Sequence, residues 1–265
     1  MDTQQQKLLN VLVVGDSCVD FYHYGTCDRL SPEAPVPILK LTHTERKSGM
    51  ALNVKKNLEA FDVDVDIITN DEVITKERFI DIRSKNQLLR FDTGETNKLI
   101  PLTHNQIEKI DYTHYDAVAI VDYNKGFISK RIASSISREC SNHNLPLFVD
   151  SKKTNLAHFS NSIIKINNLE YSEVEYLPDE YELIVTHGDK GAEYKGEFYS
   201  TSPVEVYDVC GAGDTFFASL IYQYSLTKNL TKAIKFANKC ARITVTKEGT
   251  YSLTKEEIRN VSKQS

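Results

Sequence analysis

No two cysteines of this 265-residue chain stand in a C-x-x-C spacing, and the five present (Cys18, Cys27, Cys140, Cys210 and Cys240) are scattered and odd in number. That excludes a disulfide framework or a zinc site and points to a reducing compartment. No apolar run approaches the ~20 residues needed to cross a bilayer, and the polar start, residues 1–10, lacks the apolar core of a signal peptide. The chain is therefore expected to be cytoplasmic, with no membrane partner. A basic excess is missing too: 32 basic against 37 acidic residues give a formal charge of -5, which argues against nucleic acid as a partner. Internal repeats, linkers and low-complexity segments are absent, so one domain plus a small appendage is the economical organisation.

What is present is a series of short β-branched runs: residues 11–14, 65–68, 117–121, 147–149, 163–166 and 183–186. Segments of helical length lie between several of them, such as 52–60 and 129–140. Buried strands alternating with helices predict an α/β layered fold with a central, mostly parallel sheet. Residues 35–41 (PVPILKL) read as an edge strand, because proline cannot donate to a ladder. Residues 77–91 carry two further strand-like pieces around Ser84, Lys85 and Asn86. These segments predict a small accessory sheet, and 192–200 predicts a hairpin turning at Lys195 and Gly196.

Residues 204–224 (VEVYDVCGAGDTFFASLIYQY) carry the chemistry. An extended apolar piece ends at Val209, a Gly-Ala-Gly turn follows, and Phe216, Phe217, Leu220, Ile221 and Tyr224 then recur at helical spacing; these aromatic positions are expected in the core. A glycine turn opening a helix offers unpaired N–H groups and the positive end of the helix dipole, which together suit a phosphate. Asp214 opposes an anion there unless it has a task. On spacing alone two readings stay open: a base that takes the proton of an attacking hydroxyl in phosphoryl transfer, or a cap of the helix. The chain holds no G-x-x-x-x-G-K-[ST] sequence, and a third glycine after Gly213 is lacking, so neither a P-loop nor a dinucleotide fingerprint is present.

Residues 208–216 (DVCGAGDTF) resemble the C-terminal signature of the ribokinase (PfkB) carbohydrate kinase family. Further blocks resemble the heptose-7-phosphate kinases of ADP-heptose synthesis: 15–20 (GDSCVD), Tyr24 with Gly25, 29–37 (RLSPEAPVP), 85–92 (KNQLLRFD), 122–126 (DYNKG), 149–152 (VDSK) and 167–170 (NNLE). They recur in consistent order from about Val11 to Thr250. The resemblance implies a three-layer ribokinase-like fold with a small β-lid formed by about 21–47 and 74–93, which covers the sugar and mediates a homodimer. It implies ATP and Mg²⁺ as cofactors and transfer to a hydroxyl of a sugar or sugar phosphate, most like a heptose-7-phosphate 1-kinase. A kinase for another small sugar or nucleoside, or a catalytically weakened binding homologue, are the alternatives.

Residue by residue, the resemblance implies Asp214 as base and Gly211, Ala212 and Gly213 as the anion hole. It implies Asn167 and Glu170 as organisers of Mg²⁺ through water, Lys152 as a phosphate contact, Thr186 and Gly188 in the nucleotide cleft, and Asn238 beside the base. Asp20, Gly49 and Asn53 would hold the sugar hydroxyls, with Lys125 and Arg90 as further acceptor contacts. Ordinary readings compete: Asn167 and Glu170 as a capping pair, Lys125 as a loop charge, Arg90 with Asp92 as a cross-strand pair, Asn238 as a solvent-facing polar residue. Three departures from the family stand out. Met50 follows Gly49 where the family has a second glycine. The chain is short, with the missing helix and strand expected between Asn70 and Val73. No nucleotidyltransferase domain is included, so a separate one is expected to follow in an ADP-heptose-like pathway.

Overall fold

Residues 8–96 and 98–263 are described by a computed structural model; residues 1–7 of the polar start lie outside them. The first apolar run forms β1 (Asn10–Gly15), and its alternation sets the architecture. Val11 and Val13 enter one buried cluster and Leu12 and Val14 another, as expected for a strand covered on both faces. Beside it lie β4 (Asp64–Thr69) on one side and β7 (Ala117–Asp122), β8 (Leu147–Ser151), β9 (Ser162–Asn167) and β10 (Tyr181–Thr186) on the other, all parallel. The antiparallel hairpin β11 (Gly191–Tyr194) and β12 (Glu197–Ser200) completes an eight-stranded sheet of order β12-β11-β10-β9-β8-β7-β1-β4.

Helices α1 (Ala51–Ala60), α5 (Ala212–Thr227), α6 (Leu230–Thr244) and α7 (Lys255–Lys263) cover the face of Val11 and Val13. The short α2 (His104–Glu108) and α3 (Lys130–Asn142) cover the other, while α4 (Asn168–Ser172) sits at the end of β9. Ser129 caps α3 through the Ile132 amide, and Asn229 caps α6 through Lys232. Phe216, Phe217, Leu220 and Ile221 of α5 are buried, as an apolar helix between sheet and neighbours requires. The result is the three-layer α/β arrangement that the alternating runs and the resemblance predict.

A second, four-stranded sheet of order β3-β2-β5-β6 grows from the C-terminal end of β1. Its strands are β2 (Ser17–Leu30), β3 (Pro37–Met50), β5 (Thr75–Asp81) and β6 (Gln87–Thr93). The predicted edge strand is β3, and the two pieces around Ser84–Asn86 are β5 and β6. Register gives this sheet two chemically distinct faces. Asp20 pairs with Lys76 and Tyr22 with Arg78, and these in turn pair with Asp92 and Arg90. The opposite face carries Phe21, His23, Phe79, Leu89 and Phe91, with Phe21, His23 and Phe79 stacked in a row.

The apolar piece up to Val209 is not a strand; 201–206 have no regular structure, and Val206, Tyr207 and Val209 are exposed. Among the described residues no strand lies beside them. As expected from the shortening between Asn70 and Val73, the chain passes straight from β4 to β5 through 70–74, closed by Asn70, whose Oδ1 accepts from the Ser17 amide at 2.7 Å. Among the described residues no strand lies beyond β4, and no helix is long and apolar enough to cross a membrane.

Candidate active site

Parallel strands present their C-terminal ends together, and in open α/β sheets that edge is where ligands bind. Here β1, β7, β8, β9 and β10 end at Gly15, Asp122, Ser151, Asn167 and Thr186, and α5 opens close by. Gly211 precedes α5 in the left-handed region at φ 78°, and no side chain caps the helix; the Ala212 amide donates to the Val209 carbonyl at 3.3 Å, so it is the amides of Gly213 and Asp214 that stand ready for an anion. A β-carbon on Gly211 would also come within 3.0 Å of Asn53 Nδ2, so glycine is needed for both reasons.

Asp214 does not cap α5, which removes the capping reading. Its side chain is buried; Asn53 Nδ2 donates to one carboxylate oxygen at 2.7 Å and the Tyr123 hydroxyl to the other at 3.4 Å. Burial pushes this carboxyl up to about 6, with the Asn53 hydrogen bond opposing and the nearby Asp150 adding to the rise. On the far side of the turn lies Lys165, so close that a β-carbon on Gly213 would sit 3.3 Å from its Nζ. Lys165 is buried and pairs with Asp150 at 2.6 Å. Burial pulls its pKa down, but Asp150, Glu170 and Asp214 outweigh that and leave it raised, hence charged.

Of the expected acceptor residues, Asn53 meets Asp214 directly. Asn53 lies on α1 and is held by Asn57, whose own Oδ1 accepts from Thr215 of α5 at 3.1 Å. Asp20 is buried and accepts from Arg78 Nη1 at 2.5 Å. Gly49 pairs with Cys18 across the strands, and a β-carbon there would fall 2.3 Å from Asp20 Oδ2. Met50, in place of the family's second glycine, keeps a glycine-like backbone at φ 55° and ψ -130°, the geometry of the first central position of a type II′ turn. Its side chain is buried against the core below.

Of the donor-side residues, Asn167 and Glu170 form the capping box of α4. The Glu170 amide donates to Asn167 Oδ1 at 2.8 Å, and the Asn167 amide to Glu170 Oε2 at 2.9 Å. Glu170 Oε1 points towards Lys152, 4.0 Å away. Lys152 Nζ lies 4.4 Å from the Tyr123 ring centre. Thr186 pairs in register with Asn167, and Gly188 follows at φ 61° with open space beside it. Among the described residues no three His, Cys, Asp or Glu side chains cluster as a metal cage. A magnesium ion that keeps its waters needs no such cage, so Asn167 and Glu170 fit an indirect role.

Three expectations change on the periphery. Asn238 is not solvent-facing: it is buried and donates to the Tyr199 carbonyl at 2.8 Å, because α6 packs against β11 and β12 there. Arg90 and Asp92 do not pair across strands; they are two apart on one face of β6 and form a bidentate pair at 2.9 and 2.7 Å. The guanidinium reaching Asp20 is that of Arg78. Lys125 is no free loop charge, since its ammonium contacts Glu95. Buried Asp16, its carboxyl raised to about 6 by burial and Asp122, accepts from the Lys125 amide at 3.3 Å and helps fix the 122–126 loop.

Sequence reasoning missed Arg78, Tyr123, Asp150 and Lys165. Lys165 hides inside an apolar run, and its place becomes visible only once Val149 pairs with Ile164, which sets Asp150 and Lys165 side by side. The usable signal was a lysine in a strand otherwise wholly buried.

The sequence profile of the pfkB family carbohydrate kinase matches residues 47–257. The chain belongs to this family. Among curated relatives, the bifunctional protein HldE of a Nitratiruptor species is 33% identical over 297 aligned residues, covering 94% of this chain and 64% of that protein. The HldE of Campylobacter concisus is 28% identical, covering 98% and 66%. The chain thus spans about two thirds of the length of these relatives. An alignment of 297 positions also exceeds the 265 residues here, so the relative carries residues this chain lacks. Among solved structures, phosphofructokinase-2 of Escherichia coli in complex with potassium superposes with a TM-score of 0.73 at 13% identity, covering 97% of this chain and 98% of that one. Ribokinase of Arabidopsis thaliana complexed with ribose and ATP gives 0.68 at 14% identity, covering 97% and 100%. These likenesses show the ribokinase-like fold of this PfkB chain.

Proposed function

We propose that this chain transfers the γ-phosphoryl group of ATP to a hydroxyl of a sugar or sugar phosphate, with a heptose 7-phosphate as the best-supported acceptor. The carrying observation is Asp214: buried at the uncapped start of a helix, pinned by Asn53 and faced by Lys165. A carboxylate there can take the hydroxyl proton late in the transfer while the Gly213 and Asp214 amides and the Lys165 ammonium meet the developing charge. Asp20 and Asn53 would orient the hydroxyl, and Arg78 holds Asp20 in place. Asn167, Glu170 and Lys152 would organise Mg²⁺ and the polyphosphate, the ion shielding its negative charge. Thr186, Gly188 and Asn238 would line the nucleotide cleft. The second sheet would act as the lid, excluding water that otherwise hydrolyses ATP, and its outer face would pair two copies.

The heptose reading leans on the HldE relatives, and a following adenylylation step would need a separate active site. ATP consumption measured against a panel of aldose phosphates and the matching free aldoses tests it. Turnover with heptose 7-phosphate well above all others supports the reading; preference for a free sugar or nucleoside moves it to the alternative kinases. ATP binding without turnover on any acceptor would leave a binding homologue.

A further inference from the structure

Lys76 of β5 and Lys125 of the loop after β7 come from different sheets yet converge on one carboxylate. Lys76 Nζ lies 2.8 Å from Glu95 Oε1, and Lys125 Nζ contacts Glu95 Oε2 and, at 3.4 Å, the Glu95 carbonyl. The neighbouring carboxylates on this face are already taken: Asp20 by Arg78, Asp92 by both arms of Arg90. Two ammonium groups therefore share a single negative charge, which leaves one positive charge in excess at a partly buried place.

That place adjoins the acceptor half of the site. Lys76 stands beside Asp20 in register, and its Nζ is 6.0 Å from the ring centre of Tyr123, whose hydroxyl donates to Asp214. The Cys18 thiol feels Asp20, Lys76, Glu95 and Asp214 together, so these groups occupy one neighbourhood. A phosphate dianion matches two ammonium groups in charge and offers three oxygens, where Glu95 offers one oxygen to each lysine.

We propose that Lys76 and Lys125 form a binding site for a phosphate group already carried by the acceptor, and that Glu95 fills it as an internal stand-in which that phosphate displaces. The site then discriminates by charge: a free sugar leaves Glu95 in place, while a phosphorylated one replaces it. This deepens the sugar-phosphate kinase reading in its acceptor class, but anion binding itself does not depend on turnover.

The probe is inorganic phosphate, titrated by calorimetry into the whole chain with Mg·ADP present to fill the donor half. Wild type, Glu95→Gln, Lys76→Gln and Lys125→Gln are compared, each checked for a native melting transition. Removing the competing carboxylate should tighten phosphate about tenfold, and removing either lysine should weaken it about tenfold, the size of one charge-assisted hydrogen bond, with ADP affinity unchanged. Equal phosphate affinity in wild type and Glu95→Gln, or weaker binding in Glu95→Gln, overturns the proposal and makes Glu95 a structural ion-pair partner. Should Lys76→Gln fail to fold, Lys125→Gln carries the comparison. Phosphate binding that follows this pattern in a chain inactive on every acceptor would overturn the kinase reading and leave the anion site standing.

Discussion

Asp214 combines a carboxyl pushed up to about 6 by burial with hydrogen bonds to both of its oxygens. Two pH effects follow at this residue, with opposite signs. As a base it must be ionised, so kcat/KM should fall as pH drops through about 6, well above the range of an ordinary aspartate; a profile flat down to pH 5 contradicts this. For stability, the folded value lies above the unfolded value of 3.8. Between the two the native chain holds more protons than the unfolded one, so this contribution is full below 3.8 and is lost as pH rises through about 6. A shift of that size amounts to about 3 kcal/mol. Asp214→Asn should therefore melt higher than wild type at pH 8 and converge with it towards pH 4. Asp214, Gly211–Gly213, Asp20 and Asn53 were legible because they sit in contiguous motifs. Lys165, Asp150 and Arg78 were not, because each acquires its role only from a neighbour on another strand, and Tyr123 acquires its role only from Asp214 on α5.

At the scale of elements, the turn from β3 into α1 sets two effects against each other at Met50. Holding a non-glycine residue at φ 55° costs roughly 1–3 kcal/mol, while its buried side chain would lose roughly 2–5 kcal/mol if truncated. Burial outweighs the backbone strain, so Met50→Gly should lower the midpoint of denaturant unfolding; a rise would mean that strain dominates the turn. The strands and helices themselves were largely readable. The apolar run 11–14 and the hairpin at Lys195 and Gly196 are set by local sequence, and both formed as expected. The piece before Val209 has the composition of a strand, yet strand formation needs a partner ladder that the sheet order does not provide.

For the whole molecule, the second sheet leaves Leu89 and Phe91 more than half exposed on the face opposite Asp20. An apolar, aromatic sheet face of this kind suits a second copy of the chain. Sedimentation should give a dimer for the wild type and a monomer for the double variant Leu89→Lys, Phe91→Lys; a monomeric wild type at tens of micromolar contradicts the arrangement. The strand order, and the direct passage from β4 to β5 through 70–74, could not be derived from periodicity, since local patterns do not say which strands are neighbours. The ordered motifs supplied the architecture instead, because a family's topology travels with its motifs. They did not supply the acceptor; in the proposed site Met50, Lys76 and Glu95 would shape that half of the cleft.

All of this turns on whether phosphoryl transfer depends on the carboxylate at the start of α5. The most direct measurement compares turnover and nucleotide affinity in wild type and Asp214→Asn with the best acceptor from the panel, at pH 8. Loss of about 100-fold or more in kcat, with nucleotide affinity within a factor of about two or three of wild type, is the predicted result. Turnover retained within about tenfold would contradict the account and leave Asp214 a buried structural aspartate.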